Sequence, residues 1–214
     1  MTDGIRTGDV HSYGTHGLYI KTRNISLPEK KSIRQTIPFM NGYYDFSALN
    51  GAPAWDERTI DYSFDVAEDT PAALDQKVSE VMDWLGNIHD EDIFDDTVMG
   101  FHFHGSYENS SIKWDENGMK AEISVTFVCH PFKIANYDTS LTLPTGEHVV
   151  HNSGMAVIPF ASCASAAAIQ IGNYATSIPA GENIQLTVTL ERGKNNVLVS
   201  GDSPVILKFR KEVL

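Results

Sequence analysis

Two histidines on one predicted strand come closest to a site with chemistry of its own. In Phe101-His102-Phe103-His104 the imidazoles alternate with phenyl rings, so both imidazoles lie on the same face of a strand. Alternate residues of a strand are about 7 Å apart, which lets both imidazoles share a metal ion if His130 or His16 supplies a third ligand. The alternative, which is the commoner case for a two-ligand match, is a pair of exposed or interface histidines above a Phe-filled core.

An acidic run, residues 89–96, is the second candidate for cation chemistry. Its spacing is not that of an EF-hand loop, because Phe94 and Asp96 stand where a ligand and a glycine are required. Its carboxylates also follow the end of a predicted helix, where negative charge is unfavourable. The run is therefore predicted to be a solvated connection that leaves the helix.

The sequence contains no pattern typical of a nucleophilic catalytic site or of a phosphate-binding site. There is no Gly-x-Ser-x-Gly elbow and no phosphate-binding glycine loop. Cys129 and His130 are neighbours on a predicted strand, so they point to opposite faces and His130 cannot activate the thiol. Cys129 and Cys163 are predicted to be separate, buried core residues. We predict no catalytic residue, no cofactor and no metal, and we expect that the chain is not an enzyme.

Alternation of apolar and polar residues indicates that these side chains are positioned mainly by β-strands. Half-buried antiparallel strands are predicted at 60–66, 119–129, 184–190 and 205–209. The turn signals between predicted strands are Asn50-Gly51, Asn117-Gly118, Ala180-Gly181, Arg192-Gly193 and Ser200-Gly201. Strands with turns of this kind between them are typical of β-sandwiches.

One amphipathic helix is predicted at about 71–88. Leu74, Val78, Val81 and Leu85 recur at helical spacing. Thr70 can cap the first turn and Pro71 suits the first helical position. The helix is expected to pack on a β layer.

Length and charge limit the classes of protein to which the chain can belong. It has 214 residues, 42% of them hydrophobic and 21% charged, which is typical of a globular protein. The net charge of −12 argues against a nucleic-acid-binding face and against docking on anionic lipid. The first residues lack a secretory signal pattern, and 161–171 is too short and too polar to span a bilayer. Synthesis in a cytoplasm is expected, without membrane association.

A domain boundary is predicted near 129–137, where a strand runs into His130-Pro131 and tryptophan disappears from the sequence. The predicted domains are 1–134, with the helix, and 135–214, a small all-β module. A further stretch, 28–51, carries Phe39, Tyr43, Tyr44 and Phe46 but alternates weakly. Such a segment packs either on a partner or over the edge of its own domain, and the partner interpretation is preferred.

Two motifs in the first domain resemble a known family. They are Pro38-Phe39-Met40-Asn41-Gly42-Tyr43-Tyr44-Asp45-Phe46-Ser47 and Glu57-Arg58-Thr59-Ile60, followed in order by Tyr62, Phe64, Trp84-Leu85, 93–96 and Gly100-Phe101. This series is similar to the distal tail protein (Dit) family of long-tailed siphophages that infect Gram-positive bacteria. The resemblance covers residues 10–135, whereas 136–214 share only a general β pattern with the family.

The resemblance implies an architecture and a role. The N-terminal domain is expected to be a β-sandwich that assembles into a hexameric ring at the tail tip of the virion. The C-terminal domain is expected to be a galectin-like (jelly-roll) β-sandwich. The implied partners are the tail tube protein, the tail-associated hub protein and receptor-binding proteins of the baseplate, with DNA only as cargo that passes through the lumen. The family has no catalytic residues to transfer.

A second function remains open from the residues themselves. Residues 136–214 could act as a carbohydrate-binding adhesion module, with Tyr137, Phe160, Tyr174 and Phe209 as candidate aromatic platforms. The absence of tryptophan from this part of the chain weighs against it. A metal-dependent enzyme that uses His102 and His104 is the third hypothesis.

Overall fold

A computed structural model describes residues 3–47 and 53–214 of the chain. The chain divides into two compact units, residues 1–133 with 214 and residues 134–213. Antiparallel strands dominate both units, which confirms the predicted mainly β class. The predicted turn at Asn50-Gly51 lies outside the described residues.

The first unit contains the longest strands of the chain. Its helices are α1 (Ser12–His16) and α2 (Pro71–Gly86). Its strands are β1 (Ile5–Thr7), β2 (Val10–His11), β3 (Tyr19–Ile25), β4 (Arg34–Gln35), β5 (Tyr44–Asp45), β6 (Arg58–Ala67), β7 (Glu91–Asp95), β8 (Phe101–Trp114) and β9 (Lys120–Cys129). Seven of these strands form the main path of a nine-stranded antiparallel sheet, in the order β2-β1-β7-β8-β9-β6-β3, in which β3 is an end strand.

The core of the first unit lies between this sheet and helix α2. Alternate residues of β6 and β9 face inward in register, as in the pair Phe64 and Ile123, and the helix contributes Leu74, Val81 and Leu85. Their burial removes apolar area from water, which is the main force that holds the helix on the sheet. The predicted helix is confirmed, since the Thr70 side chain accepts a hydrogen bond from the backbone N–H of Ala73 and Pro71 opens the first turn.

The second unit consists of two four-stranded antiparallel sheets that share one hydrophobic core. The remaining strands of the chain are β10 (Lys133–Ala135), β11 (Thr139–Leu143), β12 (Gly146–Asn152), β13 (Phe160–Cys163), β14 (Ala167–Ile171), β15 (Tyr174–Ile178), β16 (Asn183–Gln185), β17 (Gly193–Gly201), β18 (Val205–Phe209) and β19 (Glu212–Val213). One sheet has the order β11-β18-β13-β16 and the other β12-β17-β14-β15.

The strand predicted at 184–190 is longer than the strand observed. Strand β16 ends at Gln185, and the backbone then changes partners: Leu186 donates to the carbonyl of Pro159, while Leu190 pairs with Val157 in an isolated bridge. Leu186 and Leu190 are nevertheless buried. The alternation therefore reports which side chains face the core and not a continuous hydrogen-bonded ladder.

Candidate assembly surface

The two histidines of β8 share a face, as the alternation predicts. The imidazoles of His102 and His104 lie 3.4 Å and 2.8 Å from the same Oδ1 atom of Asp92 on strand β7. The expectation that both are exposed is wrong for His102, which is 2% exposed because its ring packs against Phe94 with centroids 4.9 Å apart. His104 is half-buried and also reaches Oδ1 of Asp90 at 3.1 Å.

The environment of His104 favours its charged form. Hydrogen bonds, first to Asp92 and then to Asp90, raise the pKa of the imidazole against the opposing effect of burial. The two other predicted ligands are engaged elsewhere, since His16 stacks on Trp84 and His130 packs edge-on against Phe132. Within residues 3–47 and 53–214, no group of three or more His, Cys, Asp or Glu side chains is arranged to hold a metal ion.

The acidic run does not form the predicted solvated connection. Residues 91–95 form strand β7, which pairs with β1 and β8. The Asp95 side chain is buried, and its Oδ2 atom accepts hydrogen bonds from Nε of Arg23 at 2.7 Å and from the hydroxyl of Tyr62 at 2.8 Å. The sequence pattern did not predict the ion pair between Arg23 and Asp95, because Arg23 lies 72 residues away on β3.

The two cysteines are free and buried, as predicted. Burial raises the pKa of the Cys129 thiol to about 12, despite the nearby Arg58 guanidinium, which favours the thiolate. A thiol with this pKa is almost fully protonated at neutral pH and is a poor nucleophile. The position of Cys129 therefore fits a core residue.

The largest group of exposed apolar side chains in the first unit lies between β3 and β6. We call residues 27–47 the aromatic arm. Phe39 is 109% exposed, and Tyr43 and Tyr44 are 49% and 51% exposed. The other exposed apolar side chains of the arm are Leu27, Ile33, Ile37, Met40 and Phe46. None of these residues belongs to the buried core cluster of the first unit. Large exposed apolar patches usually mark a surface that binds something, so the arm is the candidate assembly surface of the first unit.

The aromatic arm contains a short two-stranded hairpin with side-chain contacts of its own. Strands β4 and β5 pair Arg34 with Asp45 and Gln35 with Tyr44. The guanidinium of Arg34 lies 4.5 Å from the ring centroid of Tyr43, and the backbone N–H of Phe46 donates to the carbonyl of Ile33. At the tip, Phe39 has φ +70°, the left-handed region that costs a residue with a Cβ about 1–2 kcal/mol. A strained, fully exposed aromatic at a hairpin tip is typical of a functional contact.

The four candidate sugar-binding aromatic residues of the second unit do not line a single groove. Phe160 and Phe209 line one groove of about 510 Å³, but Phe209 is only 5% exposed. Tyr137 is 83% exposed and Tyr174 is half-buried, and neither lines that groove. A separate polar groove of about 590 Å³ lies over strands β12, β14 and β17. Its side chains include Glu147, His148, Gln170, Asn173 and Asn196.

Comparison with known proteins gives no likeness at the level of sequence. No protein-family profile matches the chain, and no curated protein sequence matches it. In the described part of the chain, no helix has the length and apolar composition needed to cross a bilayer.

Solved structures, in contrast, share the fold. The crystal structure of the SPP1 Dit (gp 19.1) protein, described as a paradigm of the hub adsorption apparatus in phages that infect Gram-positive bacteria, matches with a TM-score of 0.79 at 13% identity over 100% of both chains. Two structures of the phage P2 baseplate in its activated conformation, with Ca and with Sr, match at a TM-score of 0.47 and 7% identity, over 100% and 92% of both chains. The chain has the fold of the SPP1 Dit protein from end to end.

Proposed function

We propose that this chain, which has the fold of the SPP1 Dit protein, is a distal tail protein: a structural, non-enzymatic component of the tail tip of a long-tailed phage that infects Gram-positive bacteria. The observation that carries the proposal is the aromatic arm on this fold. Eight apolar side chains within 21 residues are exposed in the isolated subunit. They suit a protein whose copies cover them on assembly.

The assembly we propose is a closed hexameric ring built by residues 1–134, located in the virion after synthesis in the host cytoplasm. The arm belongs to the first unit, so its contacts would join first units to one another. A surface that binds a different surface of the next copy makes a heterologous contact, and such contacts close into rings when the rotation allows it. Hairpins and end strands such as β3 supply backbone and apolar groups for contacts of this type.

The remaining partners follow from that position. The ring would lie between the tail tube protein and the tail-associated hub protein, and the galectin-like unit would carry receptor-binding proteins of the baseplate. DNA would pass through the lumen only as cargo. The net charge of −12 supports this last point, because an acidic wall repels phosphates and does not retain them. A neutral or basic lumen in the assembled ring would count against it.

Electron microscopy of the purified full-length protein tests the proposal. Negatively stained particles are expected to be rings with an open centre, and an antibody against the chain is expected to label the tail tip of the phage that encodes it. Labelling of the capsid, or absence of label from the virion, would contradict the proposal.

A second candidate function is carbohydrate binding by the C-terminal unit, and the polar groove of about 590 Å³ favours it. Amide and carboxylate groups such as those of Gln170, Asn196 and Glu147 can exchange hydrogen bonds with sugar hydroxyls. A glycan array with the full chain separates the two functions. Glycan binding that is lost in Asn196→Ala would support the carbohydrate-binding function. An array without signal would contradict that function.

A further inference from the structure

Two Asn-Gly pairs of the described residues differ in how the glycine nitrogen is held. Asn41-Gly42 lies in the aromatic arm, and Asn117-Gly118 lies in the turn between β8 and β9. Both asparagines are exposed. In such a pair the backbone nitrogen of the glycine can attack the side-chain amide carbon of the asparagine, because glycine has no Cβ to obstruct the approach. The environment of that nitrogen therefore decides which pair reacts.

The nitrogen of Gly42 is open to reaction. Among residues 3–47 and 53–214, no group accepts a hydrogen bond from its N–H. A Cβ at this position would meet no atom of the described residues within 4 Å, its chain neighbours aside. Asn41 and Gly42 also lie outside the paired residues of β4 and β5, so a ring can close there without breaking the pairing of the hairpin.

The nitrogen of Gly118 is held in place. Its N–H donates to the backbone carbonyl of Asp115 at 3.2 Å. The carboxylate of Asp115 accepts from the backbone N–H groups of Met119 and Lys120 at 2.9 Å and 3.0 Å, which fixes the rest of the turn. Attack on Asn117 requires that the hydrogen bond of the Gly118 nitrogen break first. The loss of that bond and of the turn that it closes corresponds to a roughly tenfold lower rate.

We propose that Asn41 is a site of spontaneous deamidation, and that its conversion places a negative charge on the aromatic arm. The nitrogen of Gly42 forms a bond to Cγ of Asn41, the bond from Cγ to Nδ2 breaks, and ammonia leaves with the proton of the Gly42 N–H. Water then opens the cyclic imide at one of its two carbonyl carbons, which gives aspartate or isoaspartate. Because the attack is intramolecular, the chain itself supplies the proximity that the reaction needs.

The product alters the surface that the proposed ring uses. A carboxylate in a contact costs more than the neutral amide that it replaces, because burial of an unpaired charge is unfavourable. Isoaspartate also lengthens the backbone of the arm by one carbon atom. Subunits that remain unassembled therefore lose their competence for assembly with time. This consequence rests on the proposed function, whereas the deamidation itself does not.

Peptide mass spectrometry of the dilute full-length protein, incubated at neutral and at mildly alkaline pH, tests the site. Fragmentation assigns each conversion to its residue, so Asn50-Gly51, which lies outside the described residues, is scored separately. We expect conversion at Asn41 to be about tenfold faster than at Asn117 and to accelerate with pH, because hydroxide removes the proton of the Gly42 N–H. Equal rates at Asn41 and Asn117, or an unchanged Asn41, would overturn the inference.

The matched control is Asn41→Gln, whose longer side chain closes the corresponding ring far more slowly. Native mass spectrometry then compares aged wild type, aged Asn41→Gln and fresh Asn41→Asp. Loss of rings in aged wild type and in Asn41→Asp, with rings kept in aged Asn41→Gln, supports the effect on assembly. Conversion at Asn41 without loss of rings would overturn that effect. Fresh wild-type protein that forms no ring would overturn the proposed function, while the rates at Asn41 and Asn117 would still decide the modification site.

Discussion

Charging the aromatic arm should give folded monomers under conditions in which the wild-type protein is expected to form rings. In Tyr43→Glu/Tyr44→Glu the two substituted side chains are 49% and 51% exposed, so together they offer a partner about one full aromatic side chain. Burial of one such side chain stabilises by about 1.5–3 kcal/mol, which corresponds to a roughly 10- to 150-fold loss of affinity at each contact when it is removed. A carboxylate at the same place adds the cost of burying an unpaired charge.

The subunit itself should remain folded, because both tyrosines lie outside the core cluster of the first unit. The free energy of unfolding is expected to change by no more than about 0.5 kcal/mol. Multi-angle light scattering across a concentration series gives the mass of the assembly. The matched control is Tyr137→Glu, since Tyr137 is 83% exposed but lies in the second unit. A double variant that keeps the wild-type mass at every concentration would refute the role of the arm.

Two further predictions concern ion pairs of the first unit. Asp95→Ala should lower the free energy of unfolding by about 3–5 kcal/mol in urea titrations, because it leaves the Arg23 guanidinium without its buried anion; a loss below about 1 kcal/mol would show that water replaces the carboxylate. His104→Ala should destabilise in a pH-dependent way, because the carboxylate of Asp92 raises the pKa of His104 above its ordinary 6.5. That stabilisation is fully present below pH 6.5 and is lost as the pH rises through the higher folded value. The difference from wild type should therefore be larger at pH 5.5 than at pH 8.5, and a constant difference would contradict the ion pair.

Local signals were sufficient for the helix and for most of the long strands. Three local signals predict the helix at Pro71–Gly86: the helical spacing of its apolar residues, the capping residue Thr70 and the proline in the first turn. All three indicate the same element, and none of them depends on distant residues. The alternation at 119–129 likewise appears as strand β9 with its odd-numbered residues, from Ala121 to Cys129, buried. In both cases the pattern along the chain and the burial in the fold carry the same information.

The pattern failed where a polar residue is buried by a partner from elsewhere in the chain. Asp95 belongs to an acidic run that was predicted to be exposed to solvent. In the structure its carboxylate is buried and accepts hydrogen bonds from Arg23 and Tyr62, which lie on two other strands. His102 was expected to be exposed or to lie at an interface, yet Phe94 of the neighbouring strand covers its ring. Alternation along one strand cannot report which residues the adjacent strand contributes.

The aromatic arm is a different case, because its role stays a prediction and only its exposure is observed. Weak alternation with several aromatics indicated either a partner or the edge of the same domain. In the described residues the aromatics remain half to fully exposed, which leaves Phe39, Tyr43 and Tyr44 open to a partner.

Native mass spectrometry of the purified full-length protein measures the number of copies directly. A closed ring of six subunits of 23.6 kDa has a mass of about 142 kDa. We expect this species to dominate in the wild type and to lose its dominance in Tyr43→Glu/Tyr44→Glu, as the proposed ring requires. A stable species of 23.6 kDa at every concentration, with the arm still exposed, would contradict it.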